Sequence, residues 1–410
     1  MNKIKLYVIS LIASSFLTES SLANCDNKTP TELLESFKNS HPQVIENNSS
    51  IKVSEKWIEV AKQRPNPEFQ AQGMKGEEID GDVDRISLSL MHTIELGGKR
   101  SSRIDFADSK RKQFKASVQD SNEDVLIDAI LKAYRLRQVK ELIPIYEEAY
   151  EAFNKILKVK LKRKSLSPEE QVEKETLVLA TNDYRLKVSK LKSEKINLSR
   201  HLSFFVGENC DLKQDSLPQK VDLTRSFNLK KETPSYSKLQ VAINNLESAK
   251  MKLELERSNA YPDLKIGPAF ETENINGKNY QSVGLNISMD LPILSTNSGS
   301  KSQALEQMNT ARVRYKNIKR EAYLDLEAWI EKYNALGSSL KTIATREDLD
   351  KKHLKIEKLF KRGVISTAMI IESHRQLIEF ANTRNEFELG AAEALWNIYK
   401  INGTVFTEKL

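Results

Sequence analysis

Apolar and polar residues alternate one by one in two stretches of the chain, at 85–96 and 281–291. This period of two is typical of β-strands with one apolar and one polar face. A weaker alternation precedes each stretch, at 68–75 and 263–271, so the sequence predicts two pairs of strands. The apolar positions of the two stronger strands are Ile86, Leu88, Leu90, Ile94, Leu96, Val283, Leu285, Ile287, Met289 and Leu291.

Apolar residues spaced three and four apart follow each strand pair and predict very long helices. In the first half these helices cover 99–163 and 168–205, and in the second half 299–361 and 366–401. The helix at 99–163 would be roughly 95 Å long, at about 1.5 Å per residue, with a kink at Pro144. Apolar seams on heptad spacing over such lengths indicate coiled-coil packing.

A further helix precedes each strand pair, at 31–63 and at 235–259. Pro65 and Pro262 end these helices, because proline lacks a backbone donor and disfavours helix in the residue before it. A polar segment at 207–233 then joins the two halves.

Three sequence landmarks occur twice, in the same order and about 200 residues apart. This order predicts a two-fold internal repeat with units at 24–206 and 234–402, followed by a tail at 403–410. The matched segments are 64–69 with 260–264, 97–100 with 298–301, and 162–167 with 361–366.

The first residues have the pattern of a secretory signal peptide. Lys3 and Lys5 precede an apolar run at 6–17, and small residues lead to a cleavage site after Ala23, so 1–23 is the predicted signal peptide. No later apolar run reaches the roughly 20 residues of a transmembrane helix. Membrane insertion would therefore have to use strands.

Two cysteines, Cys25 and Cys210, lie in polar segments that flank helices. Export implies an oxidising compartment, which favours a disulfide between them. Two alternatives stay open: free thiols, and lipidation of Cys25, whose preceding residues partly match a lipoprotein cleavage box but place Asn24 where a small residue is usual.

Composition and motifs narrow the functional classes. The chain is 30% charged, and its net charge of +7 comes from 64 basic and 57 acidic residues, which gives little support for a nucleic-acid partner. There is no phosphate-binding glycine loop or nucleophile elbow, and the five histidines are scattered without ligand spacing. We therefore expect no enzyme activity, no cofactor and no metal site.

The length of the alternating strands matches the roughly 9 to 11 residues that a tilted strand needs to cross a bilayer. Four strands cannot close a barrel, and an open sheet edge is not tolerated in lipid, so a membrane location requires a homo-oligomer that pools strands. A half-buried sheet in a soluble protein, or a water-soluble coiled-coil hairpin, is the alternative.

The repeat, the strand pairs before long helices, and two junction motifs together resemble the TolC-type outer-membrane efflux proteins. The motif at 94–100 is most similar to the heavy-metal, CzcC-like branch, and 290–294 with Asn297 and Gly299 resembles the matching junction of the second half. The resemblance implies a homotrimer with a 12-stranded barrel in outer-membrane lipid and an α-helical tunnel through the Gram-negative periplasm. It also implies a periplasmic adaptor (membrane fusion) protein and an inner-membrane RND-type pump as partners.

The resemblance also assigns roles to residues at the helix-turn-helix tips. Adaptor contacts in the family lie at these tips, where a Gly-x-x-Ser pattern is frequent; the second tip matches it, and the first has lysine in place of glycine. The residues implied in docking are Lys164, Leu166, Ser167, Gly363, Val364, Ile365 and Ser366. Acidic rings narrow the family's periplasmic entrance, which points to Glu170, Glu173, Glu372 and, where a second acid would stand, Met369.

The expected function is an outer-membrane exit duct for passive efflux, with heavy-metal cations as one candidate substrate class. Two alternatives remain: a periplasmic coiled-coil adaptor or scaffold protein without a barrel, and the outer-membrane component of type I protein secretion.

Overall fold

The structure is a computed structural model that describes residues 28–78, 81–206, 212–227, 235–275, 277–343 and 346–410. Along the chain, each of two strand pairs is preceded and followed by helices, and a short 3-10 turn at Gln214–Ser216 lies between the halves. The elements are α1 Pro30–Ser40, α2 Pro42–Lys62, β1 Glu68–Glu78, β2 Gly81–Ile94, α3 Lys99–Leu161, α4 Pro168–Val206, α5 Ser237–Ser258, β3 Leu264–Ile275, β4 Lys278–Met289, α6 Ser298–Thr342, α7 Arg346–Lys361 and α8 Thr367–Asn402.

The predicted single helix at 31–63 is wrong, because the structure has two helices there, α1 and α2. His41 between them is extended, with φ −66° and ψ 133°. The cause is Pro42, which disfavours helical geometry in the residue before it. Thr29 caps α1 through a reciprocal capping box with Glu32.

The predicted single helix at 299–361 is also two helices. The first, α6, ends at Thr342, and Ile343 is extended, with φ −85° and ψ 160°. Thr342 and Ile343 are both β-branched, which lowers their helix propensity. By contrast, α3 continues for 63 residues through Pro144.

The four strands form one antiparallel sheet in the order β1-β2-β3-β4. The central β2–β3 pairing joins the two halves of the chain. β2 begins at Gly81 rather than 85 and β3 ends at Ile275 rather than 271, because polar residues predicted as loops continue the ladder. The side chain of Arg85 pairs there with Glu271 and Glu273.

The β2–β3 ladder is interrupted between the pairs Ser89↔Ala269 and His92↔Ile266. Pro268, which has no N–H to donate, lies in this gap. Beside it, a Cβ atom on Gly267 would stand 1.9 Å from the carbonyl oxygen of Leu90. Glycine is therefore required at 267 by the close approach of the two backbones.

The main apolar core lies among the helices and the segment 212–221. It includes residues of α1, α3, α4, α6 and α8, with Trp396 and Phe37 almost completely buried. Three ion pairs connect α3 to α8 inside or beside this core. Lys400 Nζ lies 3.1 Å from Asp120 and 2.5 Å from Asp124, and Arg137 pairs with Glu388.

A second apolar cluster follows α3 and α4 toward the turn that joins them. Phe153 of α3 packs edge-on against Tyr184 of α4, with ring centroids 5.3 Å apart, and Ile378 of α8 joins the same cluster. Residues of the two predicted apolar seams thus pack on each other and on α8.

We expect Gly267→Ala to destabilise the protein by about 1–3 kcal/mol, because the new methyl group would overlap the Leu90 carbonyl and force the strands apart. Thermal unfolding followed by circular dichroism measures this loss. Gly284→Ala is the matched control, since Gly284 pairs with Ala269 in the same sheet and has open space around its Cβ position. Equal melting temperatures for the two variants would contradict the expectation.

Candidate functional site

One face of the sheet is apolar and exposed. Directly paired residues share a face, so Leu88, Phe270 and Val283 lie in one row across three strands. Val283 is 82% exposed and Leu285 is 64% exposed. The other exposed apolar side chains of this face are Phe69, Ile86, Leu90, Ile94, Ile287 and Met289.

The opposite face of the sheet is polar. The row Gln72, Ser87, Glu271 and Ser282 runs across all four strands, and the Ser87 hydroxyl donates to Glu271 at 3.0 Å. Soluble sheets direct their apolar face to a protein core. Here the apolar face is the one left open to the surroundings.

The sheet has two outer edges, β1 and β4, in the described part of the chain. Each edge strand has a neighbour on one side only, so its outward N–H and C=O groups are free to pair with another chain. No helix in the described ranges is long and apolar enough to cross a membrane.

The first helix tip lies between α3 and α4. Ser167 caps α4: its hydroxyl accepts from the Glu170 N–H at 3.2 Å, and the Glu170 carboxylate accepts from the Ser167 N–H at 3.1 Å. Lys164 is exposed and Leu166 is half-buried at this turn. Helix capping is therefore sufficient to account for Ser167 at this turn.

The second tip lies between α7 and α8 and has a Schellman motif. The Val364 N–H donates to Leu359 O at 3.0 Å and the Gly363 N–H donates to Phe360 O at 2.8 Å, while Gly363 has a φ of +71°. The space around the Gly363 Cβ position is open, so the backbone angle is what favours glycine there. Val364 is 62% exposed beside it.

Ser366 is the N-cap of α8, and the half-buried Ile365 precedes it. The Ser366 hydroxyl accepts from the Met369 N–H at 3.3 Å. Met369 itself is 55% exposed. Local capping thus accounts for Ser366, and an exposed apolar surface of Val364 and Met369 flanks it.

The predicted entrance acids are all in ion pairs within this chain. At the first tip Glu170 pairs with Arg163, and Glu173 pairs with Lys160. Glu170 and Glu173 thus bind neighbouring cations of the same hairpin, so their charges are locally compensated.

Glu372 of α8 forms a two-pronged contact with Arg375, at 2.8 and 2.7 Å, and accepts from Gln376 at 2.8 Å. These hydrogen bonds, with that from Arg375 the strongest, lower the pKa of Glu372 to about 2. Arg375 also contacts Glu379 at 2.7 Å. Glu372 is therefore ionised at every physiological pH, but its charge is shared with a cation three residues away.

Three side chains that the sequence analysis left apart meet near the second tip. His353 and Glu357 lie on α7, and His374 lies opposite them on α8. Two of the histidines that are scattered along the sequence thus come together with Glu357 in the structure. The spacing of His353 and Glu357, one helical turn apart, was visible in the sequence, whereas nothing local pointed to His374. A disulfide between Cys25 and Cys210 was also expected, and both cysteines lie outside the described residues.

We expect Arg375→Ala to raise the pKa of Glu372 from about 2 toward about 4.3, the ordinary value for glutamate. NMR of carboxyl-labelled glutamate measures this, with Glu372→Gln assigning the signal. At pH 3 the carboxyl would then be ionised in the parent chain and protonated in the variant. Arg384→Ala, on the same helix, is the control; a Glu372 pKa that stays near 2 without Arg375 would refute the assignment.

The fold of the chain matches solved structures of outer-membrane channels. No family model matches the chain, and no curated protein matches its sequence. The CmeC outer membrane channel of Campylobacter jejuni matches with a TM-score of 0.70 at 14% identity, over 99% of this chain and 94% of that one. The outer-membrane channel OprN matches with a TM-score of 0.72 at 13% identity, over 94% and 92% of the two chains.

The open state of the MtrE outer membrane channel of Neisseria gonorrhoeae matches with a TM-score of 0.67 at 13% identity, over 92% of this chain and 89% of that one. At such low sequence identities, the similarity establishes the fold of the chain and does not establish its activity. The chain has the fold of the outer-membrane channels, as its resemblance to the TolC-type proteins predicted.

Proposed function

We propose that this protein is the outer-membrane exit duct of a tripartite efflux system. The observation that supports this most directly is the exposed apolar face of the sheet. In water such a face would be unfavourable, at about 25 cal/mol for each Å² of apolar surface. In a bilayer the same face would contact lipid chains, and the row of Gln72, Ser87, Glu271 and Ser282 would face an aqueous interior.

A homotrimer supplies the strand partners that the two sheet edges lack. Three copies of the four-stranded sheet give a closed 12-stranded barrel, in which β4 of one copy pairs with β1 of the next. The helices would then extend from the barrel into the periplasm, where α3 alone is roughly 95 Å long at about 1.5 Å per residue. Transport through such a duct is passive, with energy from an inner-membrane RND-type pump.

A periplasmic coiled-coil scaffold is the second candidate, and the long helices alone would suit it. It would leave residues such as Val283, which is 82% exposed, in water. The sheet therefore favours the channel. Type I protein secretion uses the same architecture, and its cargo would be a polypeptide.

The two helix tips are the proposed docking surface for the periplasmic adaptor. Both turns are exposed. The second presents the apolar side chains of Val364 and Met369 next to Gly363, which has no side chain to cover the backbone. A tunnel that ends at these tips would meet its adaptor there.

Heavy-metal cations are the proposed substrate class, because residues 94–100 are similar to the matching motif of the CzcC-like branch. Glu372 would contribute a ring of three carboxylates at the entrance. Because Arg375 compensates each charge, cation preference from this ring requires that Arg375 turn away from it.

Cell fractionation and interchain cross-linking test the channel proposal together. In a chain with Cys25 and Cys210 replaced by serine, we introduce Ser282→Cys on β4 and a second cysteine at Glu68, Gln70 or Gln72 on β1. We expect recovery in the outer membrane and, for at least one pairing, oxidation to a covalent trimer, because the two edges meet between copies. Ser282→Cys with Ser87→Cys is the control, since β2 is an inner strand.

Recovery of the protein only in the soluble periplasm, or monomers in every edge pairing, would refute the proposal.

Deletion of the gene tests substrate and docking. We expect lower tolerance of zinc, cobalt or copper and unchanged tolerance of lipophilic drugs. The intact chain should restore metal tolerance, whereas Gly363→Trp should fail at an equal outer-membrane level, because a bulky residue would block the tip. Gly299→Trp, also at an open position, is the control.

Loss of drug tolerance alone would exclude the metal assignment, and full rescue by Gly363→Trp would exclude docking at this tip.

A further inference from the structure

Three metal-ligating side chains converge between α7 and α8, about ten residues from Gly363 on either side. The ring centroids of His353 and His374 are 4.6 Å apart, and His353 Nε2 lies 3.8 Å from Glu357 Oε1. One ligand atom from each of the three residues lies within 4.8 Å of the other two. This is the one such group of three or more in the described part of the chain.

The two imidazoles lack the hydrogen bonds that buried nitrogen atoms normally have. His374 is 2% exposed, and Nε2 of His374 and of His353 are both buried without a hydrogen-bond partner. A buried polar atom left unpaired costs about 1–3 kcal/mol, so such atoms call for an explanation. A bound ion at this point would satisfy both at once.

The carboxylate of Glu357 is held in place beside the imidazole of His353. One carboxylate oxygen of Glu357 faces His353, while the other accepts from Lys361 at 3.2 Å. Lys361 thus orients the carboxylate, as outer partners of metal ligands do.

We propose that His353, Glu357 and His374 bind a divalent transition-metal ion, with Zn²⁺ the best fit. Two imidazoles and one carboxylate form a donor set that Zn²⁺ uses with its fourth position open. Ligand atoms of a tetrahedral site lie about 2.0–2.1 Å from the metal and therefore roughly 3.4 Å from one another. The three ligand atoms here lie within 4.8 Å of one another, so small side-chain rotations would bring them to that distance. The fourth position would face a 360 Å³ cavity whose lining includes Glu148, Glu151 and Lys155 of α3.

The ion would fasten α7 to α8. None of the described side chains of α7 from 351 onward is fully buried, so this helix has little apolar packing of its own. His353 lies about 15 Å from the second tip, at about 1.5 Å per residue. A metal ion that links the two helices there would stiffen the last turns of the hairpin. The site belongs to the hairpin itself and does not depend on the proposed export function.

Calorimetric titration of the purified full-length chain with Zn²⁺ tests the site. We expect one ion per chain, and a Kd at least tenfold higher in each of His353→Gln, Glu357→Gln and His374→Gln, since even the outer partners of ligands change metal affinity about 10–100-fold. His201→Gln is the matched control, because His201 also lies beside an acid, Asp128 at 3.2 Å, but outside the cluster.

Hydrogen exchange gives a second measurement. Zn²⁺ should slow amide exchange in α7 of the parent chain and leave it unchanged in Glu357→Gln, a nearly isosteric variant at a partly exposed position that preserves the fold. The absence of Zn²⁺ binding, or wild-type affinity in all three ligand variants, overturns the proposal. Zinc binding that falls equally in His201→Gln also overturns it.

Discussion

The unpaired outer edges of the four-stranded sheet are the constraint on which the rest of the structure depends. An antiparallel sheet with one apolar face normally covers that face with its own helices, but here the helices pack on one another in clusters that do not include the strands. The sheet therefore lacks both a core and a closed hydrogen-bond ladder within one copy. In the proposed trimer, other copies and an apolar surrounding would supply both.

The helices pack mainly on one another, and α3 alone continues for 63 residues. Their buried apolar residues form three clusters in the described part of the chain, and charged pairs such as Lys400 with Asp120 and Asp124 connect α3 to α8 beside the largest one. Removing one partner of a buried pair leaves an uncompensated charge, so these contacts favour one relative position of the helices. The tips, with little apolar packing, depend instead on capping and on local ion pairs.

Local patterns predicted most of the fold. The alternation around Leu88 and Leu285 depends only on neighbouring positions, so it identified strands without knowledge of their partners. The break at His41 could have been predicted from Pro42, whereas that at Ile343 has only weak local determinants. The ends of β2 and β3 were missed because their polar residues pair across strands, and pairing is not a local property.

The candidate site was less accessible from sequence for the same reason. The tips were located from glycine and serine at helix ends, which is local chemistry. The contact of Glu372 with Arg375 is also local and could have been foreseen from the three-residue spacing. The meeting of His374 with His353 depends on how α7 and α8 lie side by side, which no single helix encodes.

The pairing of β2 with β3 has a consequence for the order in which the protein folds. Arg85 and Glu273, which face each other across this pairing, are 188 positions apart in sequence. The first hairpin is therefore synthesised well before its partner strand β3, and its inner edge stays unpaired until the second hairpin has also been made. Strand pairing over such a separation in sequence is slow, and an unpaired strand edge favours aggregation in the meantime.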